Sequence, residues 1–316
     1  MYPLIALVLG QEHAAVAQEA AEKGFNAGET IIGHVANSSL EHPLISIPPV
    51  FGINFSVTKH VFMLWFVAAT LFVVVTAMVR RYVKQARLVP TGSMGVLEIG
   101  VEFVRDGVVV PNIGHKWANA YTPLLLTFFL FILAANLVGL IPIFDVLGLI
   151  DHYFVHADAH SFFGKLIHGG STATANFNVT AGLAVVTFIA IIVAGTRAHG
   201  FVQHWKNLVP GGVPKALYPL MIPIEILGML VRPFALTMRL AANMTGGHIA
   251  ILAILSFVFI FSQMIGVYAG IGVGMVFSVP LSAAISGLEI IVVLVQAYVF
   301  TLLSAVFIGM AIHSHH

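Results

Sequence analysis

The sequence predicts an all-α integral membrane protein with about five membrane-crossing helices. Of its 316 residues, 59% are hydrophobic and only 9% are charged, and the mean hydropathy is +0.98. Apolar stretches of about 20 residues recur along the chain, which is the length that a helix needs to cross the hydrocarbon core. The absence of cysteine excludes disulfides and thiolate metal sites. A net charge of +1 does not give the excess of basic residues that is typical of nucleic-acid-binding proteins, so we expect no nucleic-acid partner.

The apolar stretches predict three ordinary spans, a long helix and a final helix. The ordinary spans lie at about 61–79, 121–143 and 179–195. From 218 to about 263 the helical pattern continues for roughly 70 Å, more than twice a membrane thickness. This segment is either two spans or one strongly tilted helix that lies partly along the membrane. After a glycine-rich hairpin at 266–280, the final helix is predicted at about 281–312, packed against the long helix as an antiparallel hairpin. The remaining segments predict interfacial helices.

The distribution of lysine and arginine predicts the topology. Segments 80–120 and 196–217 carry six and three of these residues, whereas the opposite side holds Lys23, Lys59 and Lys165 over longer segments. The positive-inside rule therefore places the N-terminus outside and the C-terminus inside. We predict an outer-side polar N-terminal segment, 1–60, and a single transmembrane domain, 61–316. The short apolar run PLIALVLG lacks a preceding positive region, which leaves open whether it belongs to a cleaved signal peptide.

A charged stripe marks the long helix. Glu225, Arg232 and Arg239 are seven residues apart, so they lie on one face, and Asn243 and Gly246 extend that face. An arginine at bilayer depth is costly and keeps its charge. The stripe is therefore predicted to face protein or a water-filled crevice, and Gly246 would let another surface approach closely.

The final helix carries its own polar pair, Glu289 and Gln296, again seven residues apart. In an antiparallel hairpin, Glu289 is expected at the depth of His248, and Gln296 at the depth of Arg239. A proton path could be built from these residues: titratable groups lie on the outer half, Glu225 lies on the inner half, and a cation lies between them.

Simpler interpretations exist for these residues. Arg232 could be an interfacial arginine whose charge reaches the membrane surface, or it could pair with Glu225. His248 could be a neutral buried histidine bonded to a backbone carbonyl. Asn243 and Gln296 could be ordinary interhelical hydrogen bonders.

The loop at 144–178 is rich in histidine. If the loop is helical, His152, His156 and His160 share a face, a spacing that could bind zinc or collect protons. No residue is identified as a fourth metal ligand, so an amphipathic interfacial helix is favoured. No cofactor or metal is predicted elsewhere.

Several segments together resemble one family. RLAANMTGGH, MIPIEILGMLVRP, EIIVVLVQAYVF, AANLVGLIP and NFNVT are similar to subunit a of the F-type ATP synthase membrane sector, over about residues 90–310. The resemblance implies a stator that works against a rotating ring of c subunits. It also implies peripheral-stalk subunit b and other ATP synthase subunits as partners, in a bacterial inner or organellar inner membrane. The ATP chemistry would lie on other subunits, and the chain has no GxxxxGK[ST] motif.

The resemblance also implies roles for individual residues. Arg239 would be the essential arginine that faces the ring carboxylate and separates two half-channels. Gln296 would be its neighbour and Asn243 the polar residue one turn on, while His248 and Glu289 would form the outer half-channel pair. The remaining matched positions are an acid near the inner exit and two polar residues near the outer entrance: Glu225, Asp145 and Asn178. Asn176 stands where an aspartate is frequent in the family, which puts an ionic role there in doubt.

Two other functions compete with the stator. A self-contained proton-coupled transporter would often show inverted repeats and broken helices, and no convincing repeat is present. A structural membrane anchor would not need charged residues at seven-residue spacing on one helix face. Selection between proton and sodium ion would lie mostly in the ring.

Overall fold

The computed structural model describes residues 28, 31–32, 43–48, 54, 56–85, 90–140, 173–206, 214 and 217–313. The helices in these ranges are α1 (Lys59–Gln85), α2 (Ser93–Val104), α3 (Val110–Ile113), α4 (His115–Leu140), α5 (Phe177–His199), α6 (Phe201–Lys206), α7 (Tyr218–Ile265) and α8 (Val267–Ile312). A π-helical segment, Arg105–Val109, joins α2 to α3, and a 3-10 turn, Ala173–Ala175, precedes α5. Five of these helices (α1, α4, α5, α7 and α8) are long and apolar enough to cross a membrane. The predicted all-α membrane fold is confirmed.

The long predicted segment is one continuous helix, so the alternative of two separate spans is wrong. Helix α7 has 48 residues and contains Pro223 and Pro233 without a break. Thr237 Oγ1 donates to the carbonyl oxygen of Pro233 at 2.9 Å, the bond to the carbonyl four residues back that threonine can make in a helix. Membrane helices tolerate proline where neighbouring helices, side chains or water satisfy the freed backbone groups. The strong tilt of this helix stays a prediction.

The glycine-rich hairpin predicted at 266–280 is wrong, and the last helix begins at Val267 and not near 281. The turn is the single residue Gly266, whose φ of 94° favours glycine. The glycines that follow serve packing inside the helix. A Cβ at Gly270 would overlap the backbone of Ser262, and one at Gly274 would overlap Val258. Small residues of this kind let two membrane helices approach closely.

The described residues fall into two compact units. One holds 246–289 with residues 28 and 31–32, and the other holds the described parts of 37–245 and 290–316. The division predicted at residue 60 stays a prediction.

The core of the larger unit is built from α2, the π-helical segment, α3, α4, α5, α7 and α8. The rings of Phe128 and Phe300 meet edge to face, with centroids 5.5 Å apart. Two histidine hydrogen bonds hold the end of α8. His199 Nε2 lies 2.9 Å from the carbonyl oxygen of Ile312, and His313 Nε2 lies 2.9 Å from that of Ile113. Both carbonyls belong to helix C-termini, where no intrahelical donor remains. The histidines thereby fix the end of α8 against its neighbours.

Candidate functional site

In the smaller unit, α7 and α8 bring together the histidine and the glutamate that were expected at one depth. His248 Nδ1 lies 3.4 Å from Glu289 Oε1. The Glu289 residue is only 4% exposed, whereas the His248 side chain is 26% exposed. Glu289 Oε2 is buried and has no hydrogen-bond partner among the described residues. A buried carboxylate with one oxygen left for another donor is suited to taking up a proton.

Gly247 makes room for this carboxylate. A Cβ at position 247 would overlap Glu289 Oε1, so only glycine lets the glutamate lie against α7. The sequence analysis did not identify this residue. The glycine pair directly before His248 is the signal that could have pointed to it.

In the larger unit, the polar residues of the hairpin form a direct hydrogen bond. Asn243 Nδ2 donates to Gln296 Oε1 at 3.0 Å, and Gln296 is buried. The neighbour of Gln296 in this unit is thus Asn243, one turn from Arg239. The bond fits the simpler interpretation of an interhelical contact, and it also fixes the amide close to the arginine's face of the helix.

Arg239 projects from the exposed face of α7. Its neighbours Leu236 and Leu240 are buried, and Arg239 itself is exposed. Among the described residues it forms no hydrogen bond and no ion pair within 4.0 Å. An unpaired guanidinium facing lipid would be very costly, so this face requires protein or water against it.

Glu225 and Arg232 do not pair with each other. The ion pairs within the described part of the chain are Arg105 with Asp106 and His248 with Glu289. The guanidinium carbon of Arg232 lies 5.5 Å from the centre of the Phe307 ring, within the range of a cation–π contact. Arg232 is therefore held by α8, and the Glu225 carboxylate has no ionic partner among the described residues.

A cavity of about 710 Å³ lies beside Asn178, between the start of α1, the middle of α4 and the start of α5. Its polar lining comprises Asn54, Ser56, Thr58, His60, Thr127, Asn176 and Asn178. Asn176 has a structural task, because its Oδ1 accepts from the backbone N–H of Asn178 at 2.8 Å and caps α5. The amide fills this capping role without a charge.

A buried polar contact near the same helix end was missed by the sequence analysis. Thr174 Oγ1 donates to Asn136 Oδ1, and both residues are almost completely buried. Thr245 Oγ1 reaches the carbonyl oxygen of Ala175 at 3.4 Å. These bonds fix the 3-10 turn to α4 and α7. Asn136 belongs to the AANLVGLIP segment, and that buried asparagine in an apolar run was the available signal.

Four of the predicted positions lie outside the described residues: Asp145, His152, His156 and His160. Within the ranges that the structure describes, no three histidine or acidic side chains are grouped closely enough to hold a metal ion.

Fold and site together define a polytopic helical membrane protein. Its long hairpin carries a buried histidine–glutamate pair and an arginine that has no ion pair among the described residues. A family profile described as "ATP synthase A chain" matches residues 61–309. The chain belongs to this family. It is 39% identical to "ATP synthase subunit a 2" of Chlorobium luteolum, covering 98% of this chain and 85% of that protein. It is also 39% identical to "ATP synthase subunit a" of Pelodictyon phaeoclathratiforme (90% and 76% covered) and 38% identical to "ATP synthase subunit a 2" of Chlorobaculum tepidum (96% and 78%).

Proposed function

We propose that this chain is the proton-translocating stator subunit of a rotary ATP synthase, with Arg239 separating two offset aqueous half-channels. The half-channels load and unload protons on the carboxylates of a rotating c-ring. Family membership supports the coarser part of the proposal, an integral membrane subunit of an ATP synthase. The observation that carries the finer part is the exposed guanidinium of Arg239, which has no ion pair among the described residues, on a largely apolar helix.

The chemistry of Arg239 follows from its fixed charge. A cation close to an incoming carboxylic acid favours the ionised form, so the acid releases its proton as it approaches. The same charge opposes the direct crossing of a hydronium ion between the half-channels. One residue thus unloads the rotor and prevents a leak. Each proton that moves through 100 mV contributes about 2.3 kcal/mol.

The outer and inner arms are assigned to separate groups of residues. His248 and Glu289 form the proton-carrying pair of the outer arm, and the cavity beside Asn178 gives water access from the outside, with Asp145 near the entrance. Asn243 and Gln296 form the polar contact next to Arg239. Glu225 serves the inner exit, and Arg232, held over Phe307, keeps that end positive.

The proposal also names partners and orientation. The exposed stripe of α7 meets the c-ring, and peripheral-stalk subunit b and other ATP synthase subunits complete the stator. The N-terminus lies outside and the C-terminus inside a bacterial inner membrane or an organellar inner membrane. ATP is made or hydrolysed on other subunits.

The test compares Arg239→Ala with Arg81→Ala in membrane vesicles that carry the whole complex. Arg81 is an exposed arginine near the end of α1, outside the proposed site. At matched assembly, we expect Arg239→Ala to abolish ATP-driven and potential-driven proton pumping, and Arg81→Ala to pump at a rate close to wild type. Coupled pumping near the wild-type rate in assembled Arg239→Ala complexes would overturn the proposal.

A further inference from the structure

The C-terminal end of α1 carries two cations that lie side by side. Arg80 and Lys84 are four residues apart, so they are turned only about 40° from each other around the helix axis. Both residues are exposed. Arg81 is exposed as well, but it is turned about 80° from the midline between the other two. Arg80 and Lys84 therefore place two adjacent positive charges on one face of α1.

No carboxylate neutralises this pair in the described part of the chain. Neither cation has a carboxylate oxygen within 4.0 Å, although α2, which packs against α1, carries Glu98 and Glu102. The sequence QARLVPTG that follows the pair, at 85–92, contains no acid. Like charges at i and i+4 of a helix repel each other and destabilise it. An anion bound between the two side chains would remove this repulsion.

The face of α1 that leads to this pair is apolar and exposed. Val73 and Ala77 lie within about 20° of Lys84 around the helix axis. Both are exposed, Val73 to 61%. Val73 lies about 16 Å from Lys84 along the axis, close to the depth of one leaflet, which is about half of a ~30 Å core. Long helix side chains lean towards the N-terminus, so Arg80 and Lys84 cover the turn that contains Ala77, whose small side chain leaves room there.

Simpler roles explain only part of this arrangement. The positive-inside rule accounts for cations on this side of the membrane, but it does not select one face of the helix. Lys84 lies in the last turn of α1, where the helix dipole favours a cation. Arg80 lies more than one turn before the end at Gln85, beyond the reach of that effect. Neither role explains why the two cations stand together above an exposed apolar face.

We propose that Arg80 and Lys84 bind the phosphate of an anionic phospholipid in the leaflet at which α1 ends, with one acyl chain along Ala77 and Val73. Arginine and lysine both bind phosphate oxygens strongly, and basic residues at the cytoplasmic end of a spanning helix attract anionic lipids. A phospholipid fits this face better than a free anion or an acidic protein segment, because one molecule supplies both the phosphate and the hydrocarbon.

The lipid site is separate from the proton path. In the proposed orientation it faces the inner leaflet, on a different helix from Arg239 and from the histidine–glutamate pair. The inference therefore goes beyond the proposed function and does not depend on proton transfer.

The test is photolabelling of the assembled complex in liposomes. Phosphatidylglycerol and phosphatidylcholine, each with the same diazirine on one acyl chain, are compared at equal mole fractions, and lipid-bearing peptides of this subunit are identified by mass spectrometry. We expect phosphatidylglycerol to label residues 73–84 at least about fivefold more than phosphatidylcholine does. This ratio should fall by about half or more in Arg80→Gln, and to about one in the double variant Arg80→Gln/Lys84→Gln.

Arg81→Gln is the matched control, because it removes an arginine charge from the same turn but not from the face above Ala77. It should keep a ratio close to that of the wild type. Equal labelling by the two lipids in the wild type would overturn the proposal. An equal fall in Arg81→Gln and Arg80→Gln would also overturn it, because a general surface potential would then explain the labelling.

A further result would count against the lipid. If neither probe labels residues 73–84, another subunit covers this face and the site does not exist in the complex. The readout is labelling and not pumping, so any of these failures leaves the stator function standing. The stator function fails on a different result, which is normal pumping by assembled Arg239→Ala complexes.

Discussion

At the scale of single residues, the position of Glu289 depends on a residue that has no side chain. The carboxylate lies where a Cβ of residue 247 would be, and one of its oxygens faces His248. The burial of this acid is thus fixed by the backbone of α7 and not by a charged partner alone. A substitution that adds one methyl group at residue 247 would therefore displace the Glu289 carboxylate directly.

We predict that Gly247→Ala displaces Glu289 and lowers coupled proton pumping. The added methyl group overlaps the carboxylate, and overpacking of this kind costs about 1–3 kcal/mol. A shift of the acid by about 1 Å should reduce pumping on the order of tenfold or more. The measurement is ATP-driven pumping in vesicles with equal amounts of assembled complex.

Gly228→Ala is the matched control, because an added Cβ at position 228 of the same helix meets nothing within 4 Å. Alanine is also the better helix former, so this variant should be neutral or slightly stabilising. If Gly247→Ala pumped as well as Gly228→Ala, the close approach of Glu289 to α7 would not matter for proton transfer.

The sequence predicted some of these residues and missed others for a physical reason. Seven-residue spacing places Glu289 and Gln296 on one face, and the antiparallel hairpin predicts the meeting of His248 with Glu289. The roles of Gly247 and Asn136 were not predicted, because they depend on which residues of a neighbouring helix contact them. Periodicity along one helix carries no information about the atoms of another helix. The roles assigned to Arg239 and to the half-channel residues stay predictions.

At the scale of elements, the corner between α5 and α6 contains a buried histidine. Gly200, with a φ of 85°, turns the chain between the helices, and the imidazole of His204 lies against Gly195, where a Cβ would overlap it. Burial lowers the pKa of His204 below 6.5, and the nearby His199 lowers it further. His204 Nε2 has no partner among the described residues, so protonation would place an unpaired charge in the corner.

We predict that this corner loosens in acid. The unfolded chain binds the proton more readily than the folded corner, so stability is fully present above pH 6.5 and is lost as the pH falls from 6.5 towards the lowered pKa. Hydrogen-exchange protection of residues 201–206, corrected for intrinsic rates, should therefore fall between pH 7.5 and 5.5. In His204→Gln, which cannot take up the proton, protection should be independent of pH over this interval. Equal pH dependence in both proteins would contradict the assignment.

The glycine-rich stretch after Gly266 shows where element prediction from sequence goes wrong. Four glycines between 266 and 280 suggest a turn, because glycine is a poor helix former in water. In an apolar setting every backbone group needs a partner, and the helix supplies it. Gly270 and Gly274 then gain a packing role that propensity does not describe. The hydrophobic runs predicted the other spans because burial in lipid dominates their free energy.

At the scale of the whole molecule, we predict that an odd number of crossings separates the termini. In the described part of the chain, five helices are long and apolar enough to span the membrane. Lysine and arginine concentrate on the side where α1 ends. If each helix crosses once, the end of α1 lies inside and the Gly266 turn lies outside. Length and composition predicted the five long apolar helices, and the orientation stays a prediction. The loop containing Asp145 and the histidines has no strong sequence pattern.

We predict that an impermeant thiol reagent labels Arg81→Cys and Tyr268→Cys from opposite sides of the membrane. Arg81 is exposed near the end of α1, and Tyr268 is 82% exposed beside the Gly266 turn. Arg81→Cys should react in inverted vesicles, and Tyr268→Cys should react in right-side-out vesicles. Labelling of both from one side would require an even number of crossings between the two positions and would contradict the proposed orientation.

The one-residue connection between α7 and α8 also affects how the chain is made. Translation adds about 5–20 residues per second, so the 46 residues of α8 take about 2 to 9 s to emerge. During that interval α7 has been synthesised without its partner: Asn243 has no Gln296 to bond, and His248 has no carboxylate beside it. The insertion machinery therefore has to shield a polar, arginine-bearing helix from lipid until the ribosome finishes the last one.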